Sequence, residues 1–183
     1  GVENTADQFD LATITPKGYD IALSWTALDA ADTSMTALMG LMSSNSIYQA
    51  IEAGRNFIAP SQNVTLADNN NIAMVTYGAI PNRSQDHQTQ GRMPALGFVA
   101  HNQWNGYQPY FKNYRVVNPA AGLLGNTNNK LPASAFPDHI SYDWGDTQRI
   151  QRWLSLMKTR EVHTRESFVE TQLDTVSPTA RHL

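Results

Sequence analysis

Asn63-Val-Thr-Leu-Ala-Asp68, Asn69-Asn70-Asn71 and Ile72-Ala-Met-Val-Thr-Tyr77 place two strand-like runs on either side of a three-Asn turn. Val, Ile, Thr and Tyr suit a pleated, half-buried surface, and Asn side chains bond turn backbone, so the stretch predicts a β-hairpin. Val64 and Leu66, then Ile72 and Met74 against Ala73, Val75 and Tyr77, make both faces apolar. Such strands want cover above and below.

Upstream, Tyr19 to Leu28 alternates, with Ile21, Leu23, Trp25 and Ala27 on one face, and predicts a half-buried strand. Asp29–Asp32 reads as a turn. Thr33 or Ser34 can cap a Met/Leu-rich helix running through Met42, and Asn45 a second one carrying Ile47, Ala50, Ile51 and Phe57. Downstream, Gly78 to Pro137 is rich in Gly, Pro and Asn, with strand-like pieces at Gly97–Ala100, Tyr107–Phe111 and Gly122–Leu124. Long irregular stretches of this kind more often line sites than link domains. A helix near Asp146 or Thr147 bears the stripe Ile150, Trp153, Leu154 and Met157. Thr164 caps another bearing Phe168, Val169, Leu173 and Val176, which Pro178 breaks. The pattern predicts an α+β fold, an antiparallel β-sheet with flanking helices.

At 183 residues there is chain enough for one sizeable core. Only 16% of residues are charged, and 13 basic against 16 acidic groups leave −3. No Lys/Arg block offers a nucleic-acid groove or an anionic membrane surface, and no apolar run approaches bilayer length. Without Cys there is no disulfide, thiolate nucleophile or Cys-ligated zinc. His87, His101, His139, His163 and His182 lack metal-like spacing and are expected on loops and surface. No phosphate loop or Gly-x-Ser-x-Gly elbow is present.

The hairpin is followed by Gly78-Ala-Ile-Pro81, Arg92-Met-Pro94, Trp104-Asn-Gly106, Asn118-Pro119 and Gly125-Asn126-Thr127-Asn128-Asn129; Ser24-Trp25-Thr26-Ala27-Leu28, Pro60-Ser-Gln62-Asn63, Arg149-Ile150 and Leu173-Asp174-Thr175 flank these. Their order over about 150 residues resembles the β-chain of the penicillin acylase (penicillin amidase) family, N-terminal-nucleophile hydrolases. The resemblance implies an excerpt of a four-layer α-β-β-α sandwich, with residues 1–18 a poorly structured leader or cut edge and residues 19–183 a partial β-chain domain. In the family a chain-terminal Ser attacks the amide, with its own α-amine as base. Gly1 has no side chain and an internal Ser has no free amine, so the parent protein is expected to hydrolyse linear acyl amides and this chain alone to be inactive.

The resemblance also implies residue roles. Asn128 matches the Asn whose side-chain N–H stabilises the oxyanion; from the residues alone it is equally one of 15 Asn serving a turn. Gln62 matches a position lining the acyl pocket, or is a strand-edge amide bonded to backbone. Asp138 matches a carboxylate that some members use for a structural Ca²⁺, or is a turn Asp; no metal is assigned, and no organic cofactor is needed. Asp146 stands where the family often has Arg, which inverts a charge near the site. The implied partners are a small acyl amide, the remaining segments of the same precursor, and a second copy of the fragment. The implied location is periplasmic or secreted. The rival reading is a non-catalytic binding module, with sugar stacking at an aromatic loop around Trp104 and Tyr107–Tyr110.

Overall fold

The computed structural model describes residues 11, 13–131, 141–145 and 147–181. Its centre is a three-stranded antiparallel sheet in the order β1-β2-β3, with β1 at Gln62–Ala67, β2 at Ile72–Tyr77 and β3 at Arg115–Val117. The hairpin forms as its sequence predicts, with Val64 opposite Val75 and Leu66 opposite Ala73. Asp68 closes the turn. Its Oδ1 accepts from the Asn70 and Asn71 backbone N–H and from Asn71 Nδ2, at 2.8–3.0 Å. Those hydrogen bonds, that of Asn70 N–H first, hold its carboxyl below the usual range.

Strand β2 is inaccessible on both faces, from Ala73 (0% exposed) to Tyr77 (1%). Covering one face are α1 (Ser34–Met42) and α2 (Ile47–Ala53), which bring Ala37, Leu41, Ile47 and Ile51, joined by Phe57 just after α2, onto Val64, Leu66, Ala73, Val75 and Tyr77. The helix starts differ from expectation in detail. Thr33 precedes α1 without a side-chain cap; Asp32 Oδ1 instead accepts from the Ser34 N–H and hydroxyl. At α2 the cap is Ser46, not Asn45, and Asp68 Oδ2 also accepts from the Ile47 N–H at 3.1 Å. The hairpin turn thereby docks on the start of α2.

The end of α2 is tied to the sheet by two phenols. Tyr77 donates to Ala50 O, and Tyr110 donates to Ile51 O at 2.7 Å. Gly54 lies against both rings: a Cβ there would sit 2.3 Å from Tyr77 Cε1 and 2.4 Å from the Tyr110 hydroxyl. Burial raises the Tyr77 pKa and pushes that of Tyr110 up to about 12.

Three expectations fail. Residues 19–28 form no strand: Thr26–Leu28 is a 3₁₀ turn, and Trp25 (53% exposed) and Leu28 (63%) face water. Alternation alone makes no strand, because the ladder needs a neighbouring edge, and none reaches this segment among the described residues. The third strand is Arg115–Val117, not any of the three pieces expected; Tyr107 makes only an isolated bridge to Pro81. Three residues show too little periodicity to be recognised in sequence. Pro178 does not break a helix; it starts α5 (Pro178–Arg181) after α4 (Arg165–Gln172) has ended, a position where its missing N–H costs nothing.

The remaining helices form where patterning puts them. Gln148–Met157 is α3, with Met157 1% exposed. Thr164 and Ser167 make a reciprocal capping box at α4, although Phe168 (54%) and Leu173 (73%) stay exposed. The expected leader lies mostly outside the described residues; Leu11 O accepts from Ile14 and Thr15 N–H in a turn.

Two measurements check this packing. Gly54→Ala should cost about 1–3 kcal/mol by overpacking, read as a lower urea midpoint. Because Tyr77 and Tyr110 hold their protons longer folded than unfolded, their contribution is whole below pH 10 and lost as pH rises towards about 12. Phenolate absorbance should therefore show these two of the seven tyrosines ionising only with unfolding.

Candidate active site

Beside β1 lies the turn Asn126-Thr127-Asn128-Asn129, held by amide side chains in series. Thr76 in β2 donates its hydroxyl to Asn63 Oδ1 at 2.8 Å. Asn63 in β1 donates Nδ2 to Asn126 Oδ1 at 3.3 Å, and the same oxygen accepts from the Asn128 N–H at 3.1 Å. Asn129 Oδ1 accepts from the Thr127 N–H at 3.0 Å, which closes the turn on itself. Asn128 has φ 68°, a left-handed conformation that Asn tolerates better than other side-chain-bearing residues.

Helix α3 seats this turn from the other side. Trp153 packs on Gly125 so closely that a Cβ would come within 2.4 Å of the indole. Arg149 Nη1 donates to Thr127 O at 3.1 Å and to Asn128 Oδ1 at 2.9 Å. A guanidinium only donates, so the carboxamide must present its oxygen to Arg149. Its Nδ2–H groups then carry no hydrogen bond among the described residues, and Asn128 is exposed. An oriented, neutral donor stands next to a cation: the arrangement can stabilise an oxygen that is gaining negative charge.

A cavity of about 400 Å³ opens between α3 and the segment after α4, lined by Thr127, Arg149, Arg152, Trp153 and Asp174 among others. Arg152 and Asp174 pair at 2.6 Å with side chains 26% and 17% exposed. The hydrogen bond with Arg152 lowers the Asp174 pKa and raises that of Arg152. This pair fixes α3, and with it Arg149, to the segment that follows α4.

Gln62 begins β1 opposite Tyr77 and is exposed, with no side-chain hydrogen bond among the described residues. The pleat turns it to the opposite face from Asn63, so the strand does not itself bring Gln62 to the Asn126 turn. Asp138 and Asp146 lie outside the described residues, as do His139 and His182. Among the described residues no three His, Asp or Glu gather in a way that could hold a metal ion, and no helix is long and apolar enough to cross a membrane.

Two loop expectations need correction or refinement. His87 is not a surface residue but 8% exposed, and its Nδ1 accepts from the Thr89 and Gln90 N–H groups. No periodicity in the surrounding sequence marks this burial. Around Trp104, the lining of the neighbouring cleft contains no Phe, Tyr or second Trp; Tyr107 bonds Asp29 and Tyr110 packs on the core. Arg149 appears in sequence only as part of a motif. Its contact with Asn128 spans 21 positions and is decided by how α3 docks.

The chain matches the family model described as penicillin amidase over residues 5–183. It is 26% identical over 160 residues to the acyl-homoserine lactone acylase QuiP of Pseudomonas aeruginosa, an alignment covering 87% of this chain and 18% of that protein. It is 22% identical over 163 residues to the penicillin acylase 2 proenzyme of Pseudomonas sp. (strain SE83), covering 88% and 21%. Among solved structures it resembles the thermostable penicillin G acylase from Alcaligenes faecalis, with a TM-score of 0.63 and 23% identity over 75% of this chain and 24% of that one. The chain thus spans about a fifth of the length of these curated relatives.

The Asn126 lock can be tested directly. Asn126→Ala removes the acceptor of the Asn128 N–H, a loss of about 1 kcal/mol locally, so hydrogen exchange there should accelerate roughly five- to tenfold. Exchange in β2 should be unchanged.

Proposed function

The chain belongs to the penicillin amidase family, and on that footing we propose that it is the part of a linear-amide hydrolase that carries the oxyanion donor. The nucleophile is a chain-terminal Ser contributed by a segment outside this sequence. That Ser attacks the acyl carbonyl while its α-amine takes the proton. The carbonyl oxygen becomes an oxyanion and accepts from Asn128 Nδ2–H. Collapse of the intermediate releases the amine, and water then cleaves the acyl-enzyme to give the free acid. Gln62, at the head of β1 with no side-chain hydrogen bond among the described residues, is available to line the acyl pocket from the strand's other face.

The observation that carries this reading is the orientation of Asn128. Arg149 holds its oxygen at 2.9 Å, and no described residue accepts from the amide hydrogens on this exposed turn beside β1. A turn Asn needs only its backbone conformation, whereas an oxyanion donor needs its nitrogen free and aimed. Substrates in keeping with the named relatives are N-acyl-homoserine lactones and β-lactam side-chain amides. The chain alone is expected to give no turnover.

The test uses the full-length precursor, with intact mass to establish cleavage before a Ser and acyl amides of graded chain length as substrates. Asn128→Gly is the informative variant, because Gly accepts the left-handed φ and removes only the carboxamide. Its kcat should fall about 10²–10³-fold with KM nearly constant. A processed Asn128→Gly enzyme as fast as wild type would reduce Asn128 to a turn residue.

A further inference from the structure

Among the described residues Arg83 has no ion-pair partner. The ion pairs among the described residues are Arg55–Glu52, Arg152–Asp174 and Arg160–Glu170, and Arg83 enters no hydrogen bond with any described residue. Its Nε is buried without a partner. Arg115 Nε shares that condition, but Arg115 donates through Nη2 to Tyr110 O at 2.7 Å and is thereby anchored. A half-buried guanidinium with no acceptor is a costly arrangement, and such groups call for an explanation.

The side chain is also held still. Gly91 lies against it, where a Cβ would come within 2.9 Å of Nε and 3.1 Å of Cζ. On another side Cζ stands 5.9 Å from the centre of the Trp104 ring. A cation fixed between a backbone and an indole has already lost the rotamer freedom that ligand binding would otherwise remove.

Arg83 lines a cleft of about 670 Å³ together with Asn82, Ser84, His101, Gln103, Trp104 and Asn105, and no Asp or Glu is among the lining residues. The local field is positive. The His87 pKa is lowered first by burial and then by Arg83 and His101. Asp86 is near in sequence, but only its backbone N–H is engaged, with Ser84 Oγ, and it forms no ion pair.

We propose that this cleft is a carboxylate-binding site anchored on Arg83. The guanidinium fork matches the two oxygens of a planar carboxylate. The site stands independently of the acylase reading, since it shares no residue with the Asn128 turn. Two sources carry this chemistry: a free small acid, and the acidic side chain of a polypeptide.

The experiment is a titration of the whole chain followed by the ¹⁵N–¹H signals of the Arg83 Nε–H and the Trp104 indole. Acetate should shift both saturably, with half-saturation on the order of 1–10 mM for so small a ligand. Sodium chloride at equal ionic strength should shift neither. Arg83→Gln should abolish the response, and Arg83→Lys should weaken it at least about tenfold, because a point charge replaces a fork. A blocked Gly-Glu-Gly peptide that binds tenfold tighter than acetate assigns the site to a polypeptide side chain; equal or weaker binding assigns it to a free acid. Identical shifts with chloride and acetate in wild-type protein would overturn the proposal, whatever the variants do.

Discussion

A strand whose consecutive side chains from Ala73 to Tyr77 are all inaccessible to water needs apolar cover on two faces at once. That demand on β2 organises the rest. On one face it recruits α1 and α2; along its edges it takes β1 and the short β3. Its last residue, Tyr77, reaches through to the end of α2, and Gly54 exists where the rings of Tyr77 and Tyr110 leave no room for a Cβ. On β1 the face carrying Asn63, Thr65 and Ala67 stays exposed, and no strand pairs with the outer edge among the described residues.

The Asn128 turn sits at this half-covered margin. Thr76, buried in β2, passes a hydrogen bond to Asn63, and Asn63 passes another to Asn126, so the immobility of the core is transmitted to an exposed turn. Helix α3 supplies the other restraint through Trp153 on Gly125 and Arg149 on Asn128. The cation seen at the turn is Arg149. An exposed carboxamide held from two sides keeps its direction while staying open to solvent, the preorganisation that the proposed oxyanion role requires.

Much apolar surface remains open among the described residues, including Trp25, Leu28, Met39, Met42 and Leu173. This agrees with an α+β unit that matches about a quarter of a penicillin G acylase chain and belongs to the same sandwich architecture. Residues 19–28 show the consequence most plainly. Their alternation is that of a strand, yet no strand among the described residues pairs with them, and the chain takes a turn at Thr26–Leu28 instead.

What the sequence by itself determined is local. Alternation and three Asn residues specified the hairpin, helical spacing specified α1 to α3, and Thr164 specified the start of α4, because each signal acts between residues a few positions apart. The run Gly125–Asn129 was legible as a turn, and its proposed role as a site comes through the resemblance. Tertiary structure alone decided which way Asn128 points, because that depends on Arg149, 21 residues away on a docked helix. It alone decided that Arg83 would be set beside Trp104 with no carboxylate partner among the described residues, and that Arg115–Val117 would become the third strand. Each of these is a long-range contact whose partner is chosen by packing, and no periodicity in the chain records it.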